Sequence, residues 1–237
     1  MPAYLPGRGI FESSLYLSWI LKADTVERAR HYYVWYLRQK REAASQAVPG
    51  TTAYTRLDAA CKQMPELSGF LQSAAVVAQE ANARKEISDI DSLLASTTYA
   101  TINRDFDHVK SGQIDKQWYF LSSRRNSVHQ LARLLNREVE YLQFYTLGSE
   151  IMHGSAIRAH MSVQIGQVTF EPLRMLTGIR NLCVLVHIFI IRIYRELLEK
   201  YRPGELERFN SVDARRWHDA LTVIPEPTYN VEHQELA

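Results

Sequence analysis

Apolar positions along this chain recur mostly every three or four residues, a spacing that predicts helices over nearly its whole length. The first is expected over Gly7–Lys22, where Ile10, Phe11, Leu15, Leu17, Trp19 and Ile20 form a wide apolar surface. Asp24 or Thr25 can cap a second by accepting backbone N–H groups, and it runs through Tyr32, Tyr33, Trp35 and Tyr36 toward Ser45. Val48-Pro49-Gly50-Thr51 interrupts the pattern, because proline lacks a donor and glycine loosens the backbone. A short helix over Thr52–Met64 follows, and Pro65 suits the first turn of another that continues to about Lys85. Ser88-Asp89-Ile90-Asp91 reads as a further helix start.

The stretch from Thr97 to Lys116 is polar and weakly patterned, with Lys110–Gln113 expected as a surface loop. Ser122 or Ser123 begins a helix carrying Val128, Leu131, Leu134 and Leu135, and Asn136 lies near a turn. Glu138–His153 forms the next helix, with Val139, Leu142, Tyr145, Ile151 and Met152 as apolar positions. The period then switches to two. Val163, Ile165, Val168 and Phe170 alternate around Gly166, as in a small hairpin or an ordered loop. Pro172 opens the longest helix, expected to be central and buried on most of its surface as far as Tyr201. Pro203-Gly204 ends it, and Glu205–Leu221 is one more.

The fold class that follows is all-α: a single bundle of about eight helices with a small hairpin or loop insertion near 155–171. One domain is expected over residues 1–223. Pro225 and Pro227 make residues 224–237 an extended, mobile tail.

Composition narrows the function classes. The net charge of +2 gives no strong long-range field toward nucleic acid or an anionic membrane. Arginine outnumbers lysine 21 to 7, which suits bidentate and interface ion pairs. The two cysteines, Cys61 and Cys183, lack metal-ligand spacing and read as buried free thiols of a reducing compartment. The first residues carry no basic region ahead of an apolar run, and the most apolar stretch, Asn181–Ile191, is too short to span a bilayer. A cytoplasmic protein without membrane association is expected.

Candidate chemistry concentrates at Phe144–Ser155, where a helix end delivers Ser149, Glu150 and His153 ahead of Gly154. Ser149 and His153 are four apart and share a helix face, so with Glu150 they could form a Ser-His-acid set. The plain alternative is a small serine at a helix contact and a histidine at a helix C-terminus. Glu150 and His153 make one ExxH, but a di-iron bundle needs a second, and none is present. No Gly-rich phosphate loop and no HExxH helix occur, so no cofactor or metal is expected. Arg8 and Glu12 form an i,i+4 pair flanking Ile10 and Phe11. It can face inward and fix another helix, although a solvated pair is the more frequent outcome.

Two stretches together carry a resemblance. One is Gly7-Arg8-Gly9-Ile10-Phe11-Glu12, followed by Thr25–Tyr32; the other is Trp118–His129, leading into Tyr145–Ser155. They resemble the uncharacterised bacterial domain-of-unknown-function family 5677, with its RxxxE first helix and a later helix ending in Y-R-x-x-S-x-x-x-H-G-S. The match covers roughly residues 5 to 200 and transfers no activity. The helix end is in turn similar to the Arg-x4–6-His signature of HEPN ribonucleases, all-helical dimers in which histidine moves a proton on the ribose 2′-OH and arginine stabilises the phosphate. Thr146 stands where that arginine is expected, and a hydroxyl cannot replace a guanidinium. Arg124 with His129, and Arg180 with His187, also have the spacing. Chance gives on the order of two such pairs in this composition, so the spacing alone carries no information.

Three functional readings follow. The first is a non-catalytic, partner-binding component of a bacterial defence or toxin-type system, with another protein subunit or a second copy as partner. The second is a HEPN-like, metal-independent endoribonuclease acting on RNA. There His153, Ser149 and Glu150 would line the cleft, and Arg8, Glu12, Arg158 and Ser155 would complete a polar cluster. The third is a Ser/His hydrolase using Ser149 and His153. Thr146 and the lack of a basic stripe favour the first.

Overall fold

The computed structural model describes residues 4–109, 116–146, 161–164, 167–170 and 179–223. In chain order these form α1 (Tyr4–Lys22), α2 (Thr25–Ser45), α3 (Thr52–Lys62), α4 (Ala74–Val77), α5 (Glu80–Leu94), α6 (Ala100–Val109), α7 (Phe120–Ser123) and α8 (Val128–Leu134). Then come α9 (Glu138–Glu140), a π-helical segment Tyr141–Thr146, β1 (Met161–Gln164), β2 (Gln167–Phe170) and α10 (Ile179–Tyr201). The series closes with α11 (Leu206–Arg208), a second π segment Phe209–Asp213 and α12 (Ala214–Thr222). The fold is all-α. Its hairpin falls where the period-two alternation lies, with Met161 opposite Phe170 and Gln164 opposite Gln167 in antiparallel register. Among the described residues, no helix is long and apolar enough to cross a membrane.

The helices gather into two compact units, Thr25–Asn126 and Met1–Asp24 with Ser127–Ala237. In the first, α2 packs against α5 and α6, and Val34, Leu37, Ile90, Leu94, Ile102 and Phe106 are buried. The edge of Trp118 meets the Tyr32 ring at 5.3 Å, and Tyr33 lies 5.5 Å from Tyr99, so the α2 aromatics have partners within their own unit. The break at Val48–Thr51 turns through Gly50 at φ 88°, a left-handed conformation that glycine adopts without Cβ strain. Thr51 then caps α3 by accepting from the Tyr54 N–H at 3.1 Å.

In the second unit, α1 lies against α10, and its stripe Phe11, Leu15 and Trp19 is buried. Phe189 of α10 meets Phe11 at 6.0 Å and Phe144 of the π segment at 5.1 Å. A smaller cluster joins Leu198 to Phe209 and Ala214.

Several expectations are corrected. Residues 65–85 are not one helix: two 3-10 turns, Pro65–Leu67 and Phe70–Gln72, and the short α4 precede α5. Gly69 between the turns sits at φ 86°, and nearly every side chain there except Leu71 is solvated or half-buried, so nothing sustains a continuous helix. Ser88–Asp91 starts nothing; it lies inside α5. The weakly patterned 97–116 stretch contains α6, held by Ile102 and Phe106. The long helix is not buried on most of its described surface. Ile188, Ile190, Tyr194 and Tyr201 are exposed, while only Phe189 and Leu198 are buried. The expected loop at Lys110–Gln113 and the tail at 224–237 lie outside the described residues.

Candidate functional site

Of the residues singled out from sequence, Arg8, Glu12 and Thr146 are described; Ser149, Glu150, His153, Ser155 and Arg158 lie outside the described residues. The site is therefore built from α1, α8, α9, the first π segment and α10.

Arg8 and Glu12 face inward. Arg8 Nε donates to Glu12 Oε1 at 3.1 Å across one turn of α1. Arg8 Nη2 donates to the Tyr145 hydroxyl at 3.0 Å, and the guanidinium carbon lies 4.2 Å from the centre of the Tyr145 ring. Burial works against the charge on Arg8, but Glu12 and Tyr145 outweigh it and hold the guanidinium above its ordinary value. The pair thus fixes α1 to the segment that leads into the Ser149–His153 stretch.

Tyr145 continues a column of rings. Tyr141 stacks on it at 4.8 Å with planes 19° apart, and His129 of α8 stacks on Tyr141 at 4.6 Å and 16°. His129 Nε2 contacts Glu138 Oε1 at 2.7 Å. Burial, then the neighbouring Tyr145, raises the pKa of the Tyr141 phenol against an opposing contribution from Arg8. The column is made of planar groups in face-to-face contact, an arrangement that braces three elements against one another.

Behind the column lies a buried ionic network that the sequence reading missed. Arg137 is only 4% exposed. Its Nε and Nη2 both reach Glu140 Oε2 at 2.6 Å, and its remaining donors go to Ser14 Oγ at 2.8 Å and Ser18 Oγ at 3.4 Å. Arg192 of α10 bonds the other Glu140 oxygen. The Arg137 guanidinium also sits 5.4 Å from the Phe11 ring and 5.3 Å from that of Phe189. Burial pulls Arg137 below its ordinary value against the opposing effect of Glu140. The available signal was the pair Ser14 and Ser18 inside the apolar stripe of α1, small hydroxyls where a polar chain from elsewhere must arrive.

The alternative Arg–His pairs are occupied otherwise. Arg124 ends α7 at φ 56° with its guanidinium 5.7 Å from the Phe120 ring, and His129 belongs to the column. His187 is half-buried beside Trp217 at 6.5 Å, and burial, then His218, lowers its pKa. Among the described residues, no group of three His, Cys, Asp or Glu side chains is arranged to hold a metal ion.

No curated protein and no solved structure matches the chain. The side chains that meet here from the first helix and the π segment, Arg8, Glu12 and Tyr145, all fall within residues 2–167, which match the model of the Family of unknown function (DUF5677); the chain belongs to that family.

Proposed function

We propose that the chain is a non-catalytic helical module that binds a partner protein within a bacterial defence or toxin-type system. The observation that carries this reading is the way Arg8 is held. An arginine that stabilises a reacting phosphate must present its fork to the substrate. Arg8 instead directs Nε to Glu12 and Nη2 to Tyr145 and lies over the Tyr145 ring, which suits a brace. With Thr146 at the expected arginine position, the phosphate-stabilising half of HEPN chemistry would have to come from an arginine elsewhere on the chain or from a second copy. The partner surface in this reading is the solvent face of α10 that carries Ile190 and Tyr194, one turn apart and 49% and 46% exposed. Exposed aliphatic and aromatic side chains of this kind serve as interface anchors.

The test is co-expression with the products of neighbouring genes, followed by size-exclusion chromatography with light scattering. A complex of fixed stoichiometry is expected with the wild type, and its loss with Ile190→Asp. Purified protein is expected to leave total RNA intact. RNA cleavage that disappears in His153→Ala would overturn the reading in favour of a HEPN-like endoribonuclease. Labelling by a serine-reactive probe that disappears in Ser149→Ala would overturn it in favour of a hydrolase.

A further inference from the structure

A cavity of about 550 Å³ opens where the C-terminal end of α1 and the turn after α8 meet α10, away from the Arg8–Tyr145 brace. That volume falls within the range of small-molecule sites, roughly 300 to 1,000 Å³. Leu21 and Leu135 supply apolar wall, and the polar wall is unevenly arranged.

The acidic groups are mostly turned away. Glu140 is spent on Arg137 and Arg192, and Glu196 accepts from Ser18 Oγ at 3.0 Å with its other oxygen sealed from solvent. The cationic heads stay outside and are held in place. Lys200 Nζ donates to the Leu21 carbonyl at 3.0 Å, and Lys22 Nζ reaches the Leu134 carbonyl at 3.5 Å. Both acceptors are orphan carbonyls at helix C-terminal ends, which take one ammonium proton each and leave the others to the cavity. The side chain of Arg192 is one-third exposed. Among the described residues, the charges on the wall and Glu140 behind it are Lys22, Arg137, Arg192 and Lys200 against Glu140, Glu196 and Glu199, a surplus of one positive charge. By exposure, Lys22, Lys200 and Glu199 are exposed, while Glu196 and Arg192, the latter tied to Glu140, are both half-buried.

We infer that this cavity binds a small organic phosphate, a phosphomonoester of sugar-phosphate to mononucleotide size, with its phosphate between Lys22, Arg192 and Lys200 and its body against Leu21 and Leu135. The net positive surplus of the described lining residues, with the two exposed ammonium heads of Lys22 and Lys200 at the opening, favours a phosphomonoester, which carries about −1.5 to −2 at pH 7. A neutral ligand of the same shape would leave that surplus uncompensated, and a cation would meet it head on.

Calorimetry and thermal-shift measurements on the full chain test this, with ribose 5-phosphate and AMP as probes and ribose and adenosine as uncharged controls. At least one phosphate is expected to bind and raise the melting temperature, with affinity falling as salt is added, while both controls fail. Lys22→Gln with Lys200→Gln, both on exposed side chains, is expected to weaken binding about tenfold or more, as loss of charge-assisted hydrogen bonds does. Glu199→Gln is expected to tighten it, a direction that structural damage would not produce. Absence of binding by both phosphates at millimolar concentration overturns the inference. So does equal binding of the uncharged controls, or indifference to the lysine substitutions in variants that keep the wild-type melting temperature. RNA cleavage or partner binding elsewhere on the chain would leave these outcomes unchanged.

Discussion

Arg8 and Tyr145, 137 positions apart, meet twice: the guanidinium donates to the phenol oxygen at 3.0 Å, and its carbon stands 4.2 Å from the ring centre. This joins the RxxxE helix to the segment before the His-Gly-Ser end. Arg8→Met is expected to remove the bond to the hydroxyl, the bond to Glu12 and the cation–ring contact together. The loss should be about 1–3 kcal/mol in urea unfolding. Tyr145→Phe keeps the ring and is expected to cost only about 0.5–1.5 kcal/mol. Equal losses for the two variants would show that neither the Glu12 bond nor the cation–ring contact contributes.

The Arg137 network supports a sharper comparison. Glu140 is the shared counter-charge of Arg137 and Arg192, and Arg137 is the most enclosed of the three. Glu140→Gln should therefore leave two guanidiniums without their carboxylate, one of them in the core. It is expected to cost about 3–5 kcal/mol, the range seen when one partner of a buried pair is removed. Replacing Arg137 by Met removes a charge that burial penalises and leaves Glu140 with Arg192, so the cost should be smaller. Urea unfolding of the two variants decides it; a larger loss for Arg137→Met would mean that the serine bonds outweigh the charge balance.

Much of this fold was legible because period and packing agree. Phe11, Leu15 and Trp19 repeat every four residues and are the buried stripe of α1, and the alternation around Gly166 is the hairpin. The errors arose where local pattern and tertiary packing part. Pro65 promised a helix start, but the chain turns again at Gly69, and the residues that follow have too little core to cover. Ser88, Asp89 and Asp91 resemble a helix start because they are polar, yet they form the polar side of α5 while Ile90 is buried. The π segment has no signature of its own. It follows from burying Phe144 while Tyr141 and Tyr145 stay on one half-buried face, a demand set by Arg8, His129 and Phe189 on other helices. The inward turn of Arg8–Glu12 could be anticipated from the apolar residues it flanks. Arg137 could not, since its meaning depends on two serines more than a hundred positions away.

Thr51 offers a local test in the other unit. Its hydroxyl donates to the Ser45 carbonyl at 2.5 Å, at the end of α2, and accepts from the Tyr54 N–H at 3.1 Å, at the start of α3. One side chain therefore satisfies a C-terminal acceptor and an N-terminal donor of successive helices. Thr51→Val keeps the shape and removes both bonds. It is expected to lower stability by about 1–2 kcal/mol, at the upper end for a lost cap, and Thr51→Ser to restore most of it. Failure of serine to rescue would assign the loss to the missing methyl contact instead.

The pH dependence of stability follows from His31. Its side chain is 10% exposed on α2, with Glu27 Oε1 at 3.4 Å. Burial lowers its pKa from the ordinary 6.5, against an opposing contribution from Glu27. Asp105 also pulls the pKa up, and Arg28 pushes it down. The sign is that of a histidine folded in its neutral form. Between the depressed folded value and 6.5 the unfolded chain binds the extra proton, so stability increases with pH across that window. The contribution is fully present above 6.5 and is lost as pH falls through the folded value. His187, also lowered by burial and then by His218, acts in the same direction. Urea midpoints are expected to fall from pH 7 toward pH 5, and His31→Gln should flatten that slope by removing the group that takes up the proton. If His31→Gln leaves the slope unchanged while His187→Gln flattens it, the proton uptake that governs acid sensitivity sits on α10. A flat profile in the wild type would count against a lowered pKa at both His31 and His187.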